Sequence, residues 1–182
     1  MEAGQAPDIV LDHITGGSIR LDAYRGRPVV VLIGGRDSVA QARHALGAIT
    51  ARYRPDDLPV VVILHLAGVP RFARGMVKAL IRRGYDETVR ELVADRLADR
   101  WVARQMPLAD PARLVVWLLD WEGEGARRFG LVGIDACACA IVIDAAGAIR
   151  CMGRGEHAAE QVLAVVATLA PEPRPRAVTS DA

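Results

Sequence analysis

The sequence predicts an α/β fold: a mixed sheet with helices on both faces. Two observations carry this. Residues 28–33 and 60–66 are short β-branched runs whose composition suits strands buried on both faces, as in a parallel sheet. Between and after them lie longer segments whose apolar residues recur at helical spacing. A chain of 182 residues, 52% of them hydrophobic, is long enough for one domain with a substantial core.

Residues 28–33 form the first strong strand, bounded by Gly26 and by Gly34 and Gly35. A helix follows over 38–53, with Val39, Ala42, Leu46 and Ile49 at helical spacing and Ser38 or Asp37 as its cap. Arg54-Pro55-Asp56-Asp57 ends it. The strand at 60–66 then completes a βαβ unit with a right-handed crossover. Residues 69–106 read as helical in two segments. Gly84 ends the first, over 71–83, and Asp86 caps the second, whose stripe is Val89, Leu92, Val93, Leu97 and Trp101. Pro107 and Pro111 close this region.

A third strand covers 114–119, followed by Asp120 and a short helix over 123–129. A hairpin pairs 138–143 with 148–152 through the turn Asp144-Ala145-Ala146-Gly147. An amphipathic helix over 156–169 carries Val162, Val165, Val166 and Leu169 on one side. The proline-rich residues 171–182 are expected to be a disordered tail, leaving 1–170 as the domain.

The formal net charge is +1, which gives no electrostatic reason to expect nucleic acid or an anionic membrane as partner. The one basic excess, over 71–83, alternates with apolar residues and reads as a solvated helix face. The N-terminus has neither the basic nor the apolar region of a signal peptide. The longest apolar run, 58–66, contains Pro59 and His65 and falls short of the ~20 residues that span a bilayer. The expectation is a cytoplasmic protein with no membrane insertion. Three cysteines, an odd number, argue against a structural disulfide framework in a reducing compartment.

Several stretches resemble the thioredoxin superfamily, most nearly its peroxiredoxin-like branch, the alkyl hydroperoxide reductase and thiol-specific antioxidant (AhpC/TSA) family. Ala6-Pro7-Asp8-Ile9-Val10-Leu11 looks like that branch's opening, and residues 18–30 look like its lead into the first core strand. Residues 118–123 with Phe129-Gly130 are similar to its third strand and the turn after it, and 141–149 to its final hairpin. The resemblance implies a thioredoxin-like three-layer α/β/α sandwich, with 69–106 as an extra helical insertion.

The family's chemistry uses a thiolate at the helix N-terminus after the first core strand, where the dipole and free N–H groups lower its pKa. In the thioredoxin register, the two cysteine positions hold Ser38 and Gln41; in the peroxiredoxin register, the cysteine position holds Ala42. A serine there stays protonated near neutral pH, so the thiol mechanism does not carry over. The family's cis-Pro or Arg beside the active site falls near Ala138, where neither residue stands and a trans peptide is expected.

Cys137 and Cys139 enter the strand that begins beside this site. Residues i and i+2 of a strand share a face, so the pair serves as small buried hydrophobes, as a strained redox disulfide, or as two ligands of a soft metal. Cys151 on the next strand has a packing role or pairs across the hairpin. Gly34 and Gly35, with Arg36 adjacent, are a candidate anion cradle, although a tight strand-to-helix turn explains the glycines equally. His13, His44, His65 and His157 have no metal-ligand spacing, and no cofactor is implied. Trp101, Trp117 and Trp121 serve packing or an interface.

The expected function is that of a redox-degenerate thioredoxin-like domain acting as a binding or assembly subunit, with a protein partner or a second copy. The alternative is a thiol-disulfide oxidoreductase or antioxidant protein using Cys137 and Cys139 as catalytic residues.

Overall fold

Strict alternation along four central strands organises the molecule. The computed structural model describes residues 4–53, 57–98 and 115–169. Its strands are β1 (Val10–His13), β2 (Ser18–Arg20), β3 (Val29–Gly34), β4 (Val60–His65), β5 (Val115–Asp120), β6 (Cys139–Ile143) and β7 (Ile149–Arg154). They form one sheet in the order β2-β1-β5-β4-β3-β6-β7. β3, β4 and β5 are parallel, with Val30 opposite Val60 and Val60 opposite Val115. The remaining pairings are antiparallel, so the sheet is mixed, as expected.

On one face, Val30, Leu32, Val60, Val62, Val115, Trp117, Ala140 and Val142 pack beneath α1 (Val39–Arg52), α2 (Arg74–Ala98) and α4 (Ala158–Leu169). On the other, Val29, Val31, Ile33, Val61, Ile63, Val116, Leu118 and Ile141 meet the N-terminal segment and the short α3 (Glu124–Arg128). Each fully buried Val, Leu or Ile among them contributes about 1.5–3 kcal/mol of transfer free energy. Two buried faces explain why the strands read as continuous apolar runs.

Three elements depart from the expectations. The hairpin of β1 and β2 precedes the first strand that the pattern predicts. The helix expected to stop at Gly84 and restart at Asp86 is continuous, so α2 runs through both positions. Gly84 costs a helix interior about 1 kcal/mol, but the adjacent Tyr85 is anchored in the core, and Ile81, Val89 and Leu92 pack against the same core. The basic 71–83 stretch is more than a solvated face, because Phe72, Met76 and Leu80 are also exposed there.

Among the described residues no helix is long and apolar enough to cross a membrane. Residues 99–106 of the expected helical insertion, with Trp101, the closing Pro107 and Pro111, and the expected tail at 171–182 lie outside the described residues.

Candidate functional site

The C-terminal ends of β3, β4 and β5 lie side by side and bring Gly34, His65 and Asp120 to one edge of the sheet. Ligands of open α/β sheets bind at this edge. Three structures meet there: the β3–α1 junction, the loop before β6, and the β5–α3 turn.

The junction is tightly closed. Its first turn, Arg36–Ser38, is a 3₁₀ helix leading into α1. Ser38 is 0% exposed and does not cap α1 through its side chain. Its hydroxyl instead donates to Ile134 O at 2.8 Å and accepts from the Gly35 N–H at 2.9 Å. That N–H also points at Ile134 O, 3.3 Å away. Gly35 is therefore spoken for, which takes one N–H out of the suggested Gly34-Gly35-Arg36 anion cradle. Arg36 projects into solvent beside Asp37, 3.4 Å away.

Both glycines are needed for the close approach. A Cβ on Gly34 would sit 3.2 Å from Ala42 Cβ, and one on Gly35 would sit 2.7 Å from Asp135 Cα. Gln41 completes the closure: its Oε1 accepts the Ala138 N–H at 2.9 Å. Of the three positions singled out by family register, Ser38 and Gln41 thus form a polar clasp between the start of α1 and the loop at 134–138, while Ala42 packs against Gly34 at the end of β3. None of these three positions holds a cysteine. No described peptide bond is cis, Ala138 included.

The cysteines divide between environments. Cys139 opens β6 within the α3-side core, 1% exposed. Burial pushes its thiol up to about 12, with Arg154 opposite only partly opposing this. Cys137 lies before the strand, half-buried in a turn where its N–H donates to Gly133 O. The shared-face argument for i and i+2 therefore does not apply to it. Cys151 packs against the opposite side of the sheet from Cys139, so no disulfide joins those two. All three thiols are free. The soft-metal alternative lacks a third ligand among the described residues.

Sequence reasoning missed the feature beside this clasp. His65 and Asp120 are register partners at the ends of β4 and β5, with His65 Nδ1 3.7 Å from Asp120 Oδ2. That separation is too long for a hydrogen bond but suits an ion pair when the ring is protonated. Asp120 is fully buried and accepts the Ala126 N–H at 3.3 Å, which fixes the start of α3. Among the described residues neither His65 Nδ1 nor Asp120 Oδ1 has a hydrogen-bond partner. The ring borders an open groove of 310 Å³ whose rim includes Gly123, Arg127, Val132 and Asp135. The signal was present as a histidine and an aspartate ending two apolar runs, but their pairing depends on strand register.

The other residues singled out serve packing or solvent. His13 is buried, with Nδ1 2.7 Å from Thr15 Oγ1, while His44 and His157 are exposed. Trp117 is in the core, and Trp121 is half-buried beneath the Arg74 guanidinium, 5.3 Å from its ring centre.

No family model matches the chain, and no curated protein matches it. Solved structures do. A DsbF homologue from Corynebacterium diphtheriae is similar over 92% of this chain and 88% of its own, at 16% identity and a TM-score of 0.62. The exposed lipoprotein thioredoxin Etrx1 of Streptococcus pneumoniae is similar over 90% of this chain and 100% of its own, at 16% identity and a TM-score of 0.57. A thioredoxin-like protein from Aeropyrum pernix is similar over 89% of both chains, at 18% identity and a TM-score of 0.53. The chain has the thioredoxin fold.

Proposed function

We propose that this thioredoxin-fold domain is a redox-inactive binding or assembly subunit of a larger complex. The observation that carries the reading is the clasp at the start of α1. A thiol enzyme of this fold needs an accessible thiolate there, and the position is filled by a fully buried serine with its hydroxyl committed to Ile134 and Gly35. The exposed apolar stripe on the outside of α2 supports a protein partner. Three unpaired thiols fit a reducing, cytoplasmic setting.

The test is turnover. Insulin disulfide reduction and peroxide consumption should both stay at the level of buffer, while the protein co-purifies with a stoichiometric partner from its native host. Turnover that disappears in Cys137→Ser would reject the reading.

One observation favours a second reading, a thiol-disulfide oxidoreductase or antioxidant of the peroxiredoxin-like kind working through Cys137. Cys137 is half-buried, beside the Ala138–Gln41 contact, and one structure similar to this chain is the thioredoxin domain of a thiol-disulfide oxidoreductase. Iodoacetamide labelling across a redox titration separates the two readings, since an inert Cys137 removes the second.

A further inference from the structure

We propose that the groove at the C-terminal ends of β4 and β5 binds a small organic monocarboxylate, held at its acid end by His65 and Arg127. The site uses no thiol, so it holds under either reading of Cys137.

The buried pair behind the groove points to it. Asp120 is 0% exposed, and among the described residues the His65 ring is its one ion-pair partner. A carboxylate so far from water calls for a matching charge and for donors at both oxygens. Oδ2 has the Ala126 N–H, while Oδ1 has no partner among the described residues, and neither has His65 Nδ1. Nδ1 is buried 3.7 Å from Asp120 Oδ2, and a shift of about 1 Å would bring the two within hydrogen-bond reach. The other ring nitrogen, Nε2, remains accessible, and the ring borders the 310 Å³ groove. A protonated ring therefore has an acceptor for Nδ1–H in Asp120 and offers Nε2–H outward, where none of the described residues accepts it.

Arg127 is the second donor. It stands one turn after Gly123, the residue against His65 Cε1, and it borders the same groove. It is exposed and has no ion pair among the described residues, unlike Arg128, which meets Glu124 at 2.8 Å. An imidazolium and a guanidinium on one groove are charge-assisted donors for a carboxylate. Asp135 also borders the groove, with Oδ1 against Gly35. Its charge opposes a second acidic group on the ligand, and a phosphate dianion likewise. Ala126, Leu131 and Ile134, all buried, form an apolar floor for a short hydrocarbon body. A volume of 310 Å³ is at the low end for small-molecule sites, which keeps the ligand small. A divalent cation fits badly. Arg127 repels it, and no group of three or more His, Cys, Asp or Glu that could hold a metal occurs among the described residues.

The test follows the His65 ring of the full chain by proton and nitrogen NMR at constant ionic strength. Hexanoate, hexanamide, hexylamine and inorganic phosphate are added separately. Hexanoate should shift the Nε2 and Cε1 signals saturably, with a dissociation constant of about 1 mM or tighter, and leave exposed His44 in place. The other three should bind at least about tenfold more weakly. In the hexanoate complex both ring nitrogens should carry imidazolium shifts. Arg127→Gln, altered at an exposed position, should keep its melting temperature and weaken hexanoate about tenfold. Asp120→Asn keeps an acceptor for the Ala126 N–H and removes the charge behind the ring. It should weaken hexanoate and abolish the imidazolium signature, which a merely structural role would not do.

A His65 signal that hexanoate does not move overturns the inference. So does hexanamide, hexylamine or phosphate binding as tightly as hexanoate, or hexanoate affinity unchanged in Arg127→Gln. The Arg127 variant decides the matter even where Asp120→Asn unfolds.

Discussion

Ser38 and Ile134, 96 residues apart, are joined by a 2.8 Å hydrogen bond that fastens the first helix to the loop before β6. The bond lies where a thioredoxin-fold enzyme presents its nucleophile. Ser38→Ala leaves Gly35 N–H and Ile134 O with only their own 3.3 Å contact, so a cost of about 1–3 kcal/mol is expected in urea unfolding. Ser38→Cys should give a thiol that iodoacetamide does not reach in the native state. Rapid labelling of that thiol would show that the clasp opens.

Cys139 should make the protein alkali-sensitive. Its folded value is raised to about 12 by desolvation, above the unfolded value of about 8.5. The associated stability is therefore fully present below about pH 8.5 and is lost as pH rises toward about 12. Cys139→Ala should cost about 1 kcal/mol at pH 7 for the lost sulfur contact, and the difference from wild type should shrink at pH 10. A constant difference across that range would contradict the assignment.

Asp144 acts at the opposite limb. It accepts the Ala146 and Ala148 N–H groups, both at 2.9 Å, and Arg150 Nε at 2.6 Å. The Ala148 N–H first, then Arg150, hold its carboxyl below its ordinary value against desolvation. A lowered folded value stabilises above the unfolded value of about 3.9, and that stability is lost as pH falls through the folded one. Asp144→Asn should cost about 1 kcal/mol at pH 7, with the gap closing below about pH 4. Acid denaturation monitored by circular dichroism reads this directly.

Gly123 controls the histidine at the groove. Its φ is +68°, and a Cβ there would come within 2.9 Å of His65 Cε1 and 3.2 Å of Ala67 Cβ. Gly123→Ala should destabilise by about 1–3 kcal/mol and shift the His65 ring resonances while leaving those of exposed His44 in place. An unmoved His65 signal would separate the glycine from the His65–Asp120 pair.

What could be read from the amino acids follows the range of the forces involved. β3, β4 and β6 were legible because burial on both faces writes itself as a nearly uninterrupted apolar run. β1 was not: its Val10-Leu11-Asp12-His13 alternates exposed and buried over only four residues, too short for periodicity to register. Gly84 looked like a helix end because local propensity disfavours it, but Tyr85 in the core outweighs that cost. Ser38 looked like a cap because its true partner, Ile134, is distant in sequence. That Ser38, Gln41 and Ala42 are not cysteines was visible from residue type alone, whereas the His65–Asp120 pair needed the β4–β5 register. The separate settings of Cys137 and Cys139 needed the start of β6 to be located to within a residue.

The pairing of β1 with β5 sets an order of events during synthesis. Asp12 and His13 form their ladder with Leu119 and Leu118, so the first strand made waits for a partner emerging roughly a hundred residues later, on the order of 10 s at about 5–20 residues per second. An isolated two-stranded hairpin is marginal in water, so β1 and β2 cannot shelter Ile9 and Leu11 until β5 has left the ribosome. The nascent chain should therefore be vulnerable at β1 and β2, and a pause in translation before residue 120 should prolong chaperone contact with the hairpin.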